Sequence, residues 1–231
     1  MPTLKNFVAV DWRAGKDKIY FFFKDSNTYS RFDLGENKVD VGYPAEITAD
    51  NWGSFHAHVK DLRFGFTVTG VGGYPNGGDD ILWLFYYANG TPMVCKYDQD
   101  YDKVTGTYRL EDSLWHSLLP YFDRIVAGTW WEIFGHKYLF KFLTNDGHYI
   151  NFNYTTQKTS IAPITSGSWP GLDLYKNQII TAVQNDAPLF NSYFYIFLTN
   201  NRYIRYNIND NRAETGPTRV DDDSWPGLIQ D

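Results

Sequence analysis

Trp169-Pro170-Gly171-Leu172 returns unchanged as Trp225-Pro226-Gly227-Leu228 near the end of the chain. Weaker echoes stand at Trp52-Gly53-Ser54-Phe55 and at Trp115, which Leu118 follows. The four tryptophans lie 63, 54 and 56 residues apart, roughly the period of one propeller blade and so the mark of an array of similar units. Stacked units share a continuous core, so the 231 residues are expected to form one domain.

Each tryptophan closes a repeat of the same plan. Phe7-Val8-Ala9-Val10 is a short, wholly apolar run, hence a strand buried on both faces. Ala14-Gly15-Lys16-Asp17 supplies a turn, Lys18 to Phe23 an aromatic strand, and Thr28 to Asp33 an alternating, half-exposed third. The third repeat repeats this order with Ile125-Val126-Ala127-Gly128, Tyr138 to Phe142 and Tyr149 to Asn153. The fourth does so with Ile179-Ile180-Thr181-Ala182, Phe194 to Phe197 and Tyr203 to Asn207. Asp33, Asn153 and Asn207 end the third strands, where their side chains are suited to cap the following turn. The second repeat diverges: Phe64-Gly65-Phe66-Thr67, Ile81 to Tyr86 and Val94 to Asp98, with a glycine-rich insertion between Gly70 and Asp80. No Lys-Ser/Thr and no helical pattern follows those glycines, which reads as a hairpin loop and not as a phosphate cradle.

One buried inner strand, a second apolar strand, a half-exposed third and a polar outer segment, four times over, predict an all-β fold. The architecture is a four-bladed β-propeller with four-stranded antiparallel blades and short outer helical turns. The blades are expected at about residues 7–61, 62–122, 123–176 and 177–231 of a single domain. Tryptophans 52, 115, 169 and 225 are read as plugs in the wedge between neighbouring blades, with proline opening a short helix after two of them.

Composition narrows the function. Aromatic residues make up 19 % of the chain, enough to fill the space between sheets and leave some rings as sugar platforms. A net charge of −6 without a Lys/Arg cluster speaks against nucleic acid. No run of about eighteen apolar residues predicts a membrane span. Cys95 is alone, so no internal disulfide forms, which suits a reducing compartment or a fold that needs no staple. Residues 1–6 lack a hydrophobic signal segment, so the expected location is cytoplasmic, or released without a recognisable signal peptide.

With these residues in view the sequence resembles the hemopexin family of four-bladed propellers. The resemblance rests on the strand order, on Tyr29 to Asp33, on Val41-Gly42-Tyr43-Pro44, and on Trp-Pro-Gly-Leu. It covers nearly the whole chain, with repeat two resting on Tyr97-Asp98 and Trp115. A single unpaired cysteine makes the chain more similar to stand-alone members, the plant albumin-2 proteins and microbial or mushroom lectins, than to domains attached to metalloproteinases. The resemblance implies a binding module that holds ions in its tunnel and takes ligands as different as heme, polyamines, sugars and proteins.

It also implies an axial site built from backbone carbonyls at Ala9, Phe66, Ala127 and Thr181, to hold calcium, sodium or chloride. The acid that often precedes the small residue in the family is replaced by Val8, Gly65, Val126 and Ile180, which puts calcium in doubt. Asp11 and, opposite it, Thr129 stand near the tunnel entrance. Trp12 and Trp130 take the same repeat position, leaving Trp131 to face outward as a sugar platform beside amides such as Asn185 or Asn191. His56 and His58 share one face of an extended segment, and His116, His136 and His148 lie in other repeats, a weak zinc or heme signal against a reading as solvated loop histidines. Asp79-Asp80 and Asp221-Asp222-Asp223 read as solvated turns and not as paired catalytic carboxylates. No Gly-x-Ser-x-Gly, His-Glu-x-x-His or Cys-His pairing is present.

The sequence therefore predicts a non-enzymatic binding protein that requires no cofactor. Its first expected ligand is a glycan, as for a lectin or haemagglutinin of storage or defence type, bound at several weak sites. The alternatives are an albumin-2-like carrier of heme or a polyamine such as spermine, at the tunnel mouth or across a homodimer, and a protein-interaction module whose outer strands pair with a partner.

Overall fold

The computed structural model describes residues 4–70, 79–131, 138–185 and 192–229. Four antiparallel sheets follow one another along the chain and stand around a common axis as a four-bladed β-propeller. Blade 1 comprises β1 (Phe7–Trp12), β2 (Lys18–Phe23) and β3 (Thr28–Asp33), edged by two short pieces, β4 (Lys38–Val39) and β5 (Ala45–Glu46), that both pair with β3. Blade 2 comprises β6 (Leu62–Thr69), β7 (Asp80–Ala88), β8 (Thr91–Asp98) and β9 (Lys103–Arg109). Blade 3 comprises β10 (Ile125–Trp130), β11 (Leu139–Thr144), β12 (His148–Asn153) and β13 (Lys158–Pro163). Blade 4 comprises β14 (Ile179–Gln184), β15 (Tyr193–Leu198), β16 (Arg202–Asn207) and β17 (Arg212–Arg219). The inner strands form the ring: β1 abuts β6 and β14, and β10 abuts the same two from the other side.

The burial gradient follows from this geometry. Inner and second strands are covered on both faces and are almost wholly apolar, whereas β9, β13 and β17 alternate at the solvent edge. The turn after each third strand is capped as the sequence suggested. Asp33, Asn153 and Asn207 accept the N–H of Glu36, Thr156 and Asp210 at 2.9–3.0 Å. Asp98 does the same in blade 2, for the N–H of Tyr101 at 3.2 Å.

All four predicted plugs are buried: Trp52, Trp115, Trp169 and Trp225 are at most 2 % exposed. Each meets an aromatic ring on the third strand of the next blade. The pairs are Trp52–Tyr97 at 5.1 Å, Trp115–Phe152 at 5.5 Å, Trp169–Tyr206 at 5.0 Å and Trp225–Phe32 at 4.8 Å between centroids. The prolines do not open helices; Pro170 and Pro226 sit in tight turns closed by Leu172 and Leu228, whose N–H groups reach back to the tryptophan carbonyls. Their own carbonyls accept the N–H of Ala213 and of Val39, so each plug turn is bonded to the outer strand of the next blade. Gly53, Gly171 and Gly227 follow at positive φ, facing Val104, Ala213 and Val39.

Ring closure is non-covalent. Phe7, Phe21 and Phe32 of blade 1 pack with Phe197 and Trp225 of blade 4, and Ala9 donates its N–H to the Thr181 hydroxyl at 3.3 Å. Cys95 is free and buried within β8.

Candidate functional site

The strand register settles which residues face the axis. The β1–β2 hairpin pairs without interruption, but the inner hairpins of blades 2, 3 and 4 slip by one residue near Leu62, Ile125 and Ile179. Counted from the capping residues Asp33, Asp98, Asn153 and Asn207, Ala9 therefore matches Gly65, Gly128 and Ala182, not Phe66, Ala127 and Thr181. Crowding explains the small residues: a Cβ on Gly65 would stand 2.9 Å from Val10, and one on Gly128 2.9 Å from Phe66. The Ala9 N–H leaves the sheet towards Thr181, which places the Ala9 carbonyl on the axial edge. The Thr67 N–H likewise leaves the sheet, towards Asp11 at 2.8 Å. The same trans peptide turns the Phe66 carbonyl the other way, into the blade. The expected set of axial carbonyls is thus corrected by one residue in three blades.

At one end of the axis the strands finish in buried polar groups. The Asp11 carboxylate accepts from Arg13 Nε at 2.9 Å and from the Thr67 N–H. Gln99 links the Thr67 hydroxyl, the Asp11 carbonyl and the Arg13 N–H at 2.8–3.1 Å. Burial raises the Asp11 carboxyl above its ordinary range, with the Arg13 charge and hydrogen bond opposing it. On the far side Thr129 bonds Gln184, whose amide donates to Ser192 Oγ at 2.9 Å. Asp11 and Thr129 are thus at the same mouth. The Arg13 guanidinium lies 5.5 Å from the centre of the Trp130 ring, beside Thr129 in sequence.

Trp131 is buried, only 3 % exposed, which overturns the expectation of an exposed platform. The slip in β10 turns it onto the plug Trp169, at 5.2 Å and 68°, as Trp12 lies against Trp52. Trp131, not Trp130, is the counterpart of Trp12. The amine of Lys141 lies 3.7 Å from the centre of its ring.

The histidines do not converge. His56 and His58 lie in a 3-10 helix, Gly53–Asp61, where residues two apart point to different sides. His56 Nδ1 contacts the Gly53 carbonyl at 2.7 Å, His58 stacks on Tyr86, and His148 pairs with Asp146. His136 and Asn191 lie outside the described residues. Among the described residues no three of His, Cys, Asp and Glu come together to hold a metal ion. Of the acidic runs only the second is a turn: Asp221 and Asp222 accept from the N–H groups of Ser224 and Gly227, whereas Asp80 opens β7, paired with Thr69, from whose hydroxyl it accepts.

A cleft of about 540 Å³ lies between blades 4 and 1, beside the plug Trp225. Tyr193, Tyr195 and Tyr203 line it with Arg205, Asn185, Asn37 and Asp17. Period-two alternation puts Tyr193 and Tyr195 on one face of β15, and Tyr203 and Arg205 on one face of β16. Tyr195 and Tyr203 rest against Trp225 at 5.4 and 5.5 Å. The Tyr193 N–H is held by Asn185 Oδ1 at 2.6 Å, and Arg205 lies 4.7 Å from the Tyr193 ring centre. Glu214 steadies Arg205 at 3.1 Å, and its carboxyl is held below the ordinary range by the Asn207 amide at 3.0 Å. Such rings with amide, guanidinium and carboxylate groups between them can stack a flat apolar face and bond its hydroxyls. Of these residues the sequence pattern singled out Asn185 alone for binding, because the tryptophans mark the repeats; the tyrosines spaced by two in the fourth repeat carried the signal for the rest.

No protein-family model matches the chain, and no curated protein matches it. Among solved structures, it is similar to a structural genomics protein of unknown function from Bacteroides thetaiotaomicron. That match has a TM-score of 0.35 at 13 % identity and covers 91 % of this chain. The chain spans 43 % of the length of that structure. Among the described residues, no helix is long and apolar enough to cross a membrane.

Proposed function

We propose that this four-bladed propeller is a hemopexin-like, non-enzymatic carbohydrate-binding protein whose sugar site is the cleft between blades 4 and 1. The observation that supports it is the face of Tyr193 and Tyr195 set among Asn37, Asn185, Asp17 and Arg205. A pyranose would lay its C–H face on the tyrosines and hydrogen-bond its hydroxyls to the amides and charged groups around them. The cleft volume of about 540 Å³ is within the range of small-ligand sites. A glycan array read with the purified protein, followed by thermal unfolding with each hit, tests the reading. A sugar that binds the folded state raises the midpoint; a blank array with no shift for any sugar sinks it.

A polyamine is the second reading, favoured by Asp17 beside the tyrosine rings, which suits an alkylammonium group. Spermine in the same unfolding assay separates the two. Heme has less support: among the described residues no histidine, cysteine or methionine lines the cleft, and burial raises the phenol pKa of Tyr193, Tyr195 and Tyr203, which disfavours a tyrosinate ligand. An axial ion belongs to the proposal as sodium, chloride or calcium, with calcium the least supported, since each oxygen of Asp11 already accepts a hydrogen bond, from Arg13 and from Thr67.

A further inference from the structure

Lys141 departs from the pattern around the plugs. Counted from the turn caps, its position on β11 is filled by Tyr20, Trp83 and Tyr195 in the other blades. Each of those rings packs on its plug tryptophan. Lys141 puts an amine there instead, 3.7 Å from the ring centre of Trp131, 5.2 Å from Trp169 and 5.9 Å from Tyr149. Thr129 and Asn151 flank it in register on β10 and β12. Tyr149 is the one titratable group among these five, and none of them is charged. The amines of Lys18 and Lys24, by contrast, find acceptors: Lys18 binds Asp33 and Asp40, and Lys24 the Leu62 carbonyl. The Lys141 amine makes no hydrogen bond or ion pair with the described residues, and its side chain is half-buried.

We propose that Lys141 is a reactive amine that captures small aldehydes as an imine. Its lone pair attacks the carbonyl carbon and a C–N bond forms. The amine proton passes to the former carbonyl oxygen, and the carbinolamine then loses water to leave C=N, with no oxidant or reductant consumed. The three rings serve the step by what they keep away from the amine. They exclude the carboxylates that would hold the amine protonated, and they desolvate it; their faces attract the ammonium reactant and the iminium product alike, so desolvation and not ring attraction is what favours the step. Burial brings the amine pKa down to about 8, so about a quarter of it is neutral at pH 7.5, against about 0.1 % for an ordinary lysine. The site is separate from the cleft, so the inference does not depend on the carbohydrate reading.

The test uses the intact folded protein with glycolaldehyde as the probe, sodium cyanoborohydride to trap the imine, and peptide mass mapping to read each lysine. Lys141 should be labelled roughly tenfold faster than the exposed Lys60 at pH 7.5, since the gain in neutral amine outweighs its lower basicity and partial burial. Its rate should level off above about pH 8, while that of Lys60 still climbs. Lys141→Arg should remove the fast phase and leave the unfolding midpoint close to that of the parent. Labelling no faster than at Lys60 from pH 6 to 10 overturns the proposal. So does a fast phase that survives in Lys141→Arg. Should that variant fail to fold, the map of the parent protein decides alone.

Discussion

Gly171 and Ala213 approach so closely that a Cβ built on the glycine would stand 2.6 Å from the alanine Cβ. The glycine also has φ of 86°, and its neighbour Pro170 accepts the Ala213 N–H at 3.0 Å. The plug turn and the outer strand of blade 4 are therefore fitted without room for a methyl group. Gly171→Ala is expected to cost about 2–4 kcal/mol, about 1 from the backbone and the rest from the clash. In a chain of this length that lowers Tm by roughly 5–15 °C. Gly15→Ala is the control: φ is 96° there, but nothing lies within 4 Å of the new methyl, so only the backbone cost of about 1 kcal/mol is expected. Equal losses in the two variants, read by calorimetry, would show that close approach is not what keeps glycine after the tryptophan.

The second prediction concerns closure of the ring. Trp225 bridges Tyr195, Phe197 and Tyr203 of blade 4 to Phe21 and Phe32 of blade 1, where no covalent link joins the ends. Trp225→Ala is expected to destabilise the fold by about 3–5 kcal/mol, whereas Trp225→Phe keeps a ring in the wedge and loses less. Urea unfolding followed by tryptophan fluorescence checks both. An alanine variant as stable as the parent would show that the wedge is not the closing contact.

Acid stability has a local contributor at Asp146. Burial acts against its charge, but Thr144, Arg124 and His148 hydrogen-bond the carboxylate and bring its pKa down to about 2. A folded-state pKa below the unfolded value means stability that is full above about pH 4 and lost as pH falls towards 2. Both Asp146 and Arg124 are 38 % exposed at the side chain, so solvent screening keeps the contribution below about 1 kcal/mol. Asp146→Asn is expected to flatten that part of the stability–pH curve and leave it unchanged in form above pH 5. An unaltered acid limb would assign the acid loss to other carboxylates.

Cys95 gives a probe of blade 2. Its thiol is buried among the core residues, and burial pushes its pKa up to about 12. The thiolate is the reactive form, so the folded protein should react with a disulfide reagent at pH 8 only through opening of the blade. The expected rate is at least about a hundredfold below that of the unfolded chain, rising with denaturant in step with unfolding. Fast reaction in the native state would mean that β8 is more accessible than its packing shows.

The fold was legible because its markers are local. Trp-Pro-Gly fixes a turn and a plug together, and the Asx residues at the third-strand ends fix the blade period, so four similar segments could be aligned without knowing any contact. The site was less legible for one physical reason. A β-bulge adds a residue without leaving a mark in composition, and it reverses every side chain beyond it. In blades 3 and 4 the slip moved the axial residue one place on, from Ala127 and Thr181 to Gly128 and Ala182. In blade 2 it moved one place back, from Phe66 to Gly65, because β6 begins at Leu62, two residues before the Phe64 from which the sequence pattern was counted, and the slip restores only one of them. The slip in β10 also turned Trp131 inward. The Tyr193–Arg205 cleft brings blade 4 against blade 1 across nearly the whole length of the chain, and no local pattern announces such a meeting.

The last prediction separates ligand binding from folding at that cleft. Tyr193 is only partly buried, its ring carries Arg205, and it lies outside the packed face of Trp225. Removing the ring should therefore change recognition without opening the wedge. Tyr193→Ala is expected to weaken binding of any sugar found on the array by about 1–2 kcal/mol, a factor of roughly 5–30, as loss of one stacking ring does. The unfolding midpoint should move by less than that of Trp225→Ala, because a half-exposed side chain contributes little apolar burial. Isothermal titration on both variants, with Trp131→Phe as a third, decides the location. Trp131 is buried against Trp169 in the neighbouring wedge, between blades 3 and 4, and does not line the cleft, so its variant should bind like the parent. A sugar that still binds Tyr193→Ala at full strength would remove the cleft from the proposal even with the lectin reading intact.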